Sequence, residues 1–111
     1  METNELTGAA LDWVVAKCEG TLHDDGTVSD YFQPSVDWEQ GGAIIEREEI
    51  SISREFASGK VEWAAWTPAP FRDDAEAFGY GTTPLEAAMR CYVASKLGDE
   101  VEAPEELINY A

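Results

Sequence analysis

The segment from Thr82 to Gly98 constrains the fold most, because its residues predict a helix with both ends marked. Thr83 is a suitable N-cap, Pro84 fits the first helical position, and Glu86 follows at the spacing of a capping box. Gly98 can adopt the left-handed backbone that often ends a helix. Between these ends, apolar residues recur at helical spacing and form one face: Leu85, Ala88, Met89, Tyr92, Val93 and Leu97. The pattern predicts a central helix of the core.

Residues 1–20 also predict a helix. Thr7 is the expected N-cap and Gly20 the expected stop, and apolar residues between them keep helical spacing. Leu6 and Leu11 are placed for a hydrophobic staple across the first turn. We therefore expect the chain to begin with a helix that packs on the core.

A second capping-box spacing predicts a helix over about residues 37–48, with Asp37 as its N-cap. This helix places Gly41 and Gly42 on the side that carries Trp38, although each glycine costs about 1 kcal/mol in a helix interior. Two glycines on one helical face indicate that something approaches closely. Either a neighbouring backbone or aromatic ring, or a bound ligand, would satisfy that pattern.

Short β-compatible segments predict a small antiparallel sheet. After an Asp-Gly turn signal, we expect a hairpin or one strand near Val28 to Phe32. Residues 50–66 predict a hairpin with its turn at residues 57–60, because apolar and polar residues alternate on both sides of that turn. Arg54 has inward parity in the first of these strands. It therefore either reaches the sheet edge or is a buried cation with an acidic partner.

Residues 67–82 predict a connection that is rich in proline and glycine and carries three aromatic residues: Phe71, Phe78 and Tyr80. The connection is long for a small domain, and a binding surface and a cover for the core explain it equally well. The whole chain, residues 1–111, is predicted to be a single α+β domain. Its elements follow the order α-β-α-β-β-α, with the helices packed on a small antiparallel sheet.

Acidic residues dominate the composition, with 23 Asp and Glu against 7 Lys and Arg and a net charge of −16. Such a charge repels nucleic acid and anionic membrane surfaces, so we expect no direct contact with either. No apolar run approaches the ~20 residues of a membrane-spanning helix. Residues 1–10 lack basic residues and a hydrophobic stretch, so we expect no signal peptide and a cytoplasmic location.

Catalytic patterns do not stand out in this sequence. The single histidine, His23, leaves no histidine-based metal cluster and little scope for a catalytic triad. Cys18 and Cys91 lie far apart and predict buried apolar residues rather than a disulfide or a zinc site. Gly41 and Gly42 lack the Lys-Ser/Thr pair that follows the glycines of a phosphate loop. We expect a non-enzymatic protein with no catalytic residues, no metal site and no cofactor.

A binding protein is the better hypothesis, because aromatic residues exceed what a minimal core requires. Arginine forks match phosphate groups and aromatic rings stack on bases, so the sequence predicts a site for a small, anionic, planar ligand such as a nucleotide. The expected ligand-binding residues are Trp38, Gly41, Gly42, Arg47 and Tyr80. The alternative is that each arginine pairs with a neighbouring acid, as the i, i+4 spacing of Glu86 and Arg90 indicates.

Three segments resemble the NinX-like proteins of lambdoid phages and their prophages. They occur in the same order as in that family and read ELTGAALDWVVAKCEG, DWEQGGAIIERE and YGTTPLEAAMRCYVASKLGDEVE. The resemblance covers most of the chain. It implies a phage or prophage origin and action inside an infected bacterium, and it supplies neither a mechanism nor catalytic residues.

Two functions are expected from these observations. In the first, a phage accessory protein binds and sequesters a small host-derived ligand, such as a nucleotide signal of a defence system. In the second, an acidic protein inhibits a host protein by covering its basic nucleic-acid-binding surface. The partner is then a small anionic ligand or a host protein, and the sequence leaves a homo-oligomer open.

Overall fold

Three helices and a three-stranded antiparallel sheet form the domain in a computed structural model that describes residues 1–57, 59–67 and 77–108. The helices are α1 (Gly8–Glu19), α2 (Trp38–Glu48) and α3 (Pro84–Leu97), and the strands are β1 (Ser51–Ala57), β2 (Lys60–Thr67) and β3 (Ala77–Gly81). Short 3-10 helices precede α1 and follow α3, at Thr3–Glu5 and Glu105–Leu107. The predicted α+β class is confirmed, and the order in the described part of the chain is α-α-β-β-β-α.

The prediction of a hairpin or one strand near Val28 to Phe32 is wrong. This part of the chain forms turns, in which the Asp25 carboxylate accepts hydrogen bonds from the amide and hydroxyl of Thr27 at 3.0 and 2.6 Å. The Asp-Gly turn signal is correct, because Gly26 has a φ of +83°. The turn does not lead into the sheet, because its polar side chains satisfy the backbone locally.

The third strand is β3, which lies inside the stretch predicted as a connection. Its sequence contains Gly79 and Gly81, and glycine is depleted in strands. The structure explains both glycines, because α3 packs directly on the backbone of β3. A Cβ atom at Gly79 would lie 2.2 Å from the carbonyl oxygen of Ala87. Phe71, the first aromatic of the predicted connection, lies outside the described residues.

Helix α3 occupies the centre of the domain, as its sequence predicts. Its N-cap is confirmed, since the Thr83 hydroxyl accepts a hydrogen bond from the amide of Glu86 at 3.1 Å. The helix packs against all three strands and also contacts α1 and α2. Ala87 and Cys91 are therefore fully buried although they lie outside the predicted apolar face. Leu97, which belongs to that face by its spacing, is 43% exposed because it lies at the end of the helix.

The ends of α1 and α2 also agree with prediction, although their capping contacts differ. Asp37 caps α2 by accepting a hydrogen bond from the amide of Glu39 at 2.9 Å. Thr7 precedes α1, but its hydroxyl donates to the Glu86 carboxylate at 3.0 Å and does not cap the helix. That bond ties the start of α1 to the start of α3. Gly20 ends α1 in the left-handed conformation, as expected.

The predicted hairpin is confirmed, with Ser51 opposite Trp66 at its open end and β1 at one edge of the sheet. Its inward face is covered only in part. Ile50 and Ala65 are buried, whereas Arg54 is exposed and lies over the ring of Phe56 at 5.6 Å. Arg54 therefore reaches the sheet edge and is not a buried cation.

The beginning of the chain and the segment after α3 lie side by side. Glu2 and Glu100 form an isolated antiparallel bridge. The amide of Val101 donates to the carbonyl of Met1 at 2.9 Å. Further along, Leu107 packs against the core. This pairing places the residues after α3 beside the N-terminal end of α1.

Candidate functional site

The five predicted ligand-binding residues do not converge on one site. Trp38 and Arg47 lie about two and a half helical turns apart, so they point to opposite sides of α2. Trp38 is 55% exposed, and a Cβ atom added at Gly42 would lie 3.8 Å from its ring. Gly41 is buried against another part of the chain. Of the five, only Trp38 and Gly42 form a shared surface.

Gly41 marks a close approach within the protein. A Cβ atom there would lie 2.4 Å from the carbonyl oxygen of Pro34 and 2.6 Å from Cδ2 of Leu85. The space beside this glycine is thus filled by the chain itself. For Gly41, a neighbouring backbone explains the sequence pattern.

Arg47 is held in a network that joins the ends of the three helices. Its guanidinium donates two hydrogen bonds to the Glu19 carboxylate, at 3.0 and 2.7 Å, and one to Glu48 at 2.9 Å. It also lies 5.7 Å from the centre of the Tyr92 ring. These carboxylates raise the pKa of Arg47, and Arg47 in turn holds the pKa of Glu19 below its usual value. A phosphate bound here must displace acids that already match the guanidinium fork.

Tyr80 lies on β3, away from this network. Its amide donates to the side chain of Asn4 at 2.9 Å, and its carbonyl accepts a hydrogen bond from Arg90 at 2.6 Å. Arg90 pairs with Glu86 at 3.3 Å, as its spacing predicts. Burial lowers the pKa of Arg90, and the Glu86 charge opposes that effect. These contacts fix the edge of the sheet, while Tyr80 stays 48% exposed.

A cleft of about 700 Å³ lies elsewhere, at the N-terminal end of α1. Its walls come from α1, from the turns between residues 26 and 36, and from residues 104–107. Ligand sites commonly have volumes of about 300–1,000 Å³ and combine an apolar lining with a few polar groups. The cleft has both the size and the composition of such a site.

Two buried polar residues line the cleft, Asp12 of α1 and Ser35 of the turns. They are 6% and 5% exposed. The amide of Ser35 donates to Asp12 Oδ1 at 2.9 Å. Burial raises the pKa of Asp12, and the Ser35 amide and side chain oppose that shift. The Ser35 side chain thus interacts with the Asp12 carboxylate, and among the described residues its buried hydroxyl oxygen makes no further hydrogen bond. Such groups cost stability unless a further partner satisfies them.

The remaining walls are largely apolar and are held by side-chain hydrogen bonds. The half-buried residues Phe32, Val28 and Leu107 line the cleft. The Trp13 indole N–H donates to the carbonyl of Gly26 at 2.8 Å, which fastens the turns to α1. A tryptophan that lies off the apolar stripe of its helix thus positions a wall of the cleft.

Helix α2 fixes the other end of the turns. The side-chain oxygen of Gln40 accepts a hydrogen bond from the amide of Gln33 at 3.0 Å, and its nitrogen donates to the carbonyl of Tyr31 at 2.8 Å. Gln40 also donates to the capping carboxylate of Asp37 at 2.8 Å. Asp37 and Gln40, which have the spacing of a capping box, therefore order the segment that carries Ser35.

Sequence reasoning missed Asp12, Ser35 and the cleft between them. A signal for Asp12 exists in the sequence, because the apolar residues Val15 and Ala16 follow it at helical spacing, three and four residues further along. An acid beside a buried helical stripe indicates either a structural partner or a site. No comparable signal marks Ser35, whose position depends on the turns around it.

Other kinds of site are not found in the described residues. Residues 1–57, 59–67 and 77–108 hold no group of three His, Cys, Asp or Glu placed to bind a metal ion. Cys18 and Cys91 are free, and burial raises their pKa values to about 11 and about 12. Within the same ranges, no helix is long and apolar enough to cross a membrane.

The fold is a small α+β domain with helices packed on a three-stranded antiparallel sheet, and a cleft of ligand size lies at α1. The model of the bacteriophage P22 NinX family matches residues 2–96, so the chain belongs to this phage protein family. The match spans α1, α2, the three strands and all but the last residue of α3. Among curated proteins, the chain has no match.

Proposed function

We propose that this protein is a non-enzymatic phage accessory protein that binds and sequesters a small host-derived ligand in the bacterial cytoplasm. The observation that carries the proposal is the cleft at α1, where the buried residues Asp12 and Ser35 lie at the wall of an apolar space. The α2 residues predicted from sequence are the weaker candidates, since Arg47 is already paired with Glu19 and Glu48.

The energetics of Asp12 support a binding role. Its raised pKa means that the charged form is less favourable in the folded protein than in the unfolded chain. A buried acid that lowers stability and lines a cleft is typical of functional sites, where local cost is retained for activity. A ligand that satisfies Asp12 and Ser35 would recover part of that cost.

The position of the cleft limits which part of a nucleotide, the ligand suggested by the sequence, can be bound there. A nucleobase fits the apolar walls, but none of the described residues that line the cleft is Lys or Arg. The phosphate-binding part of the prediction depended on Arg47, which lies in a different part of the molecule. The base of a nucleotide is therefore better supported as the bound group than its phosphates.

Native mass spectrometry of the protein from infected cells tests the proposal, with released small molecules identified alongside. We expect a stoichiometric small molecule on the wild-type protein and a large loss of it in Asp12→Asn. Asp24→Asn is the matched control, because Asp24 is exposed and does not line the cleft. A ligand retained by Asp12→Asn but lost in Trp38→Ala would move the site to α2. Protein that carries no ligand would count against sequestration.

An acidic inhibitor of a host protein is the second candidate, and one observation favours it. The bridge between Glu2 and Glu100 brings like charges directly opposite each other, an arrangement that normally destabilises pairing. Glu5, Asp99 and Glu102 are exposed in the same two segments. This candidate predicts a basic host partner whose affinity falls steeply with added salt. A partner whose binding is insensitive to salt would contradict it.

A further inference from the structure

The buried end of the cleft indicates the chemistry of its ligand, and this inference rests on the proposed function. Asp12 Oδ1 accepts a hydrogen bond from the Ser35 amide, and the Ser35 side chain also interacts with the carboxylate. Among the described residues, the buried Ser35 hydroxyl oxygen makes no further hydrogen bond and can still accept one. A carboxylate accepts hydrogen bonds and a hydroxyl can accept them, so the two groups together best match a ligand that donates.

The charge around the cleft points the same way. Asp12, Asp30 and Glu106 line it, and within residues 1–57, 59–67 and 77–108 no positively charged residue does. The N-terminal end of α1, at Gly8 and Ala9, contributes a positive potential equivalent to roughly half an elementary charge. Three carboxylates outweigh that contribution. The field therefore opposes a ligand that brings a negative group to the buried end.

The shape of the lining adds the final constraint. Phe32, Val28 and Leu107 supply apolar surface around the two polar groups, and such walls favour a flat or compact apolar body. We infer that the cleft binds an aromatic molecule with an uncharged or cationic N–H donor, such as an amidine or an amino-substituted heterocycle. A phosphate or carboxylate is excluded from its buried end.

Three probes with the same ring separate these chemistries: benzamidine is cationic, benzamide is neutral and benzoate is anionic. Each is titrated into the full-length protein while the backbone amide resonances are followed by NMR. We expect benzamidine and benzamide to shift the amides of Ser35 and Phe32, with benzoate leaving them unchanged at the same concentration. The strongest response is expected for benzamidine, because a charge-assisted hydrogen bond to Asp12 is the stronger one.

Variants locate the contact. Asp12→Asn is expected to weaken benzamidine binding by about tenfold or more, as loss of a charge-assisted hydrogen bond implies. Asp24→Asn is expected to bind as the wild type does. Ser35→Ala provides a second test should Asp12→Asn fold poorly, because it removes only the hydroxyl and leaves the Ser35 amide in place. It is expected to weaken benzamidine binding by a smaller factor.

Several outcomes would overturn the inference: benzoate shifting the cleft amides as strongly as benzamidine, unchanged benzamidine affinity in both cleft variants, or no response to any probe. These results are distinguishable from failure of the proposed function. If a phosphorylated molecule co-purifies with the wild-type protein and is lost in Asp12→Asn, the proposed sequestration is supported and the inferred N–H donor chemistry is wrong. If the probes bind as expected but the protein purified from infected cells carries no ligand, the N–H donor chemistry is supported and sequestration is not.

Discussion

Replacing Gly41 with alanine is expected to destabilise the protein, whereas the same change at Gly42 is expected to stabilise it. A Cβ atom at Gly41 would lie 2.4 Å from the carbonyl oxygen of Pro34 and 2.6 Å from Leu85 Cδ2. At Gly42 the nearest atom would be a ring carbon of Trp38 at 3.8 Å, an ordinary van der Waals contact. Both positions are interior to α2, so they share the gain in helix propensity and differ in the space available.

The two effects have different magnitudes. Alanine is about 1 kcal/mol more favourable than glycine in a helix interior, and this is the expected gain in unfolding free energy for Gly42→Ala. Overpacking typically costs about 1–3 kcal/mol. At Gly41 that cost is expected to exceed the gain, because Pro34 presents backbone and Leu85 is only 3% exposed. With a cost in the upper part of that range, about 2–3 kcal/mol, the net result for Gly41→Ala is a loss of about 1–2 kcal/mol.

Urea denaturation followed by tryptophan fluorescence measures both variants against the wild type. We expect the midpoint to fall for Gly41→Ala and to rise for Gly42→Ala, with the slope of the transition unchanged. The difference between the variants is expected to reach about 2–3 kcal/mol. A Gly41→Ala protein as stable as the wild type would refute the reasoning, and so would a destabilised Gly42→Ala protein.

Arg47→Gln is expected to make the free energy of unfolding depend less on pH in the acid range. Hydrogen bonds from Arg47 lower the pKa of Glu19, so the pair stabilises the fold above the ordinary pKa of 4.5. This contribution is lost as pH falls through the lowered pKa. Denaturation midpoints measured from pH 7 to pH 3 test this prediction, and it would be contradicted if the wild-type and Arg47→Gln profiles ran parallel. Asp12→Asn is expected to raise the free energy of unfolding at pH 7, because burial raises the pKa of Asp12 and its charged form lowers stability above that pKa. Denaturation midpoints over the same pH range should show this gain shrinking as pH falls through the raised pKa. Gly79→Ala is expected to lower the free energy of unfolding by about 2 kcal/mol or more, since its Cβ would lie 2.2 Å from a backbone oxygen of α3. A melting temperature equal to that of the wild type would contradict this and indicate that the helix can move. Burial raises the pKa of the Cys91 thiol to about 12, so labelling with a disulfide reagent at pH 8 should be slow until denaturant is added, and rapid labelling of the native protein would count against this.

The helices could be predicted because their end signals are local. Thr83 accepts a hydrogen bond from an amide three residues away, and Asp37 accepts one from an amide two residues away. Such contacts require no other part of the chain. The hairpin of β1 and β2 is local in the same sense, since its strands are joined by a short turn.

Strand β3 and the binding residues depended on longer-range contacts. The glycines of β3 argue against a strand when the local sequence is considered alone, and only the packing of α3 on Gly79 explains them. Arg47 shows the same limit. Its charge suggested a phosphate site, but the ends of α1 and α3 bring Glu19 and Tyr92 to it.

The α+β class, the ends of the three helices, the acidic character and the phage family could all be inferred from the residues along the chain. Each follows from composition, local hydrogen bonding or similarity in sequence. The position of a ligand-sized cleft, and the burial of Asp12 and Ser35 in its wall, emerged only from the folded arrangement. The physical reason is that three separate segments form this cleft, and residues 104–107 lie far along the chain from the other two. Their positions are set by the packing of the helices on α3 and by the hydrogen bonds that the side chains of Trp13 and Gln40 donate to the turns.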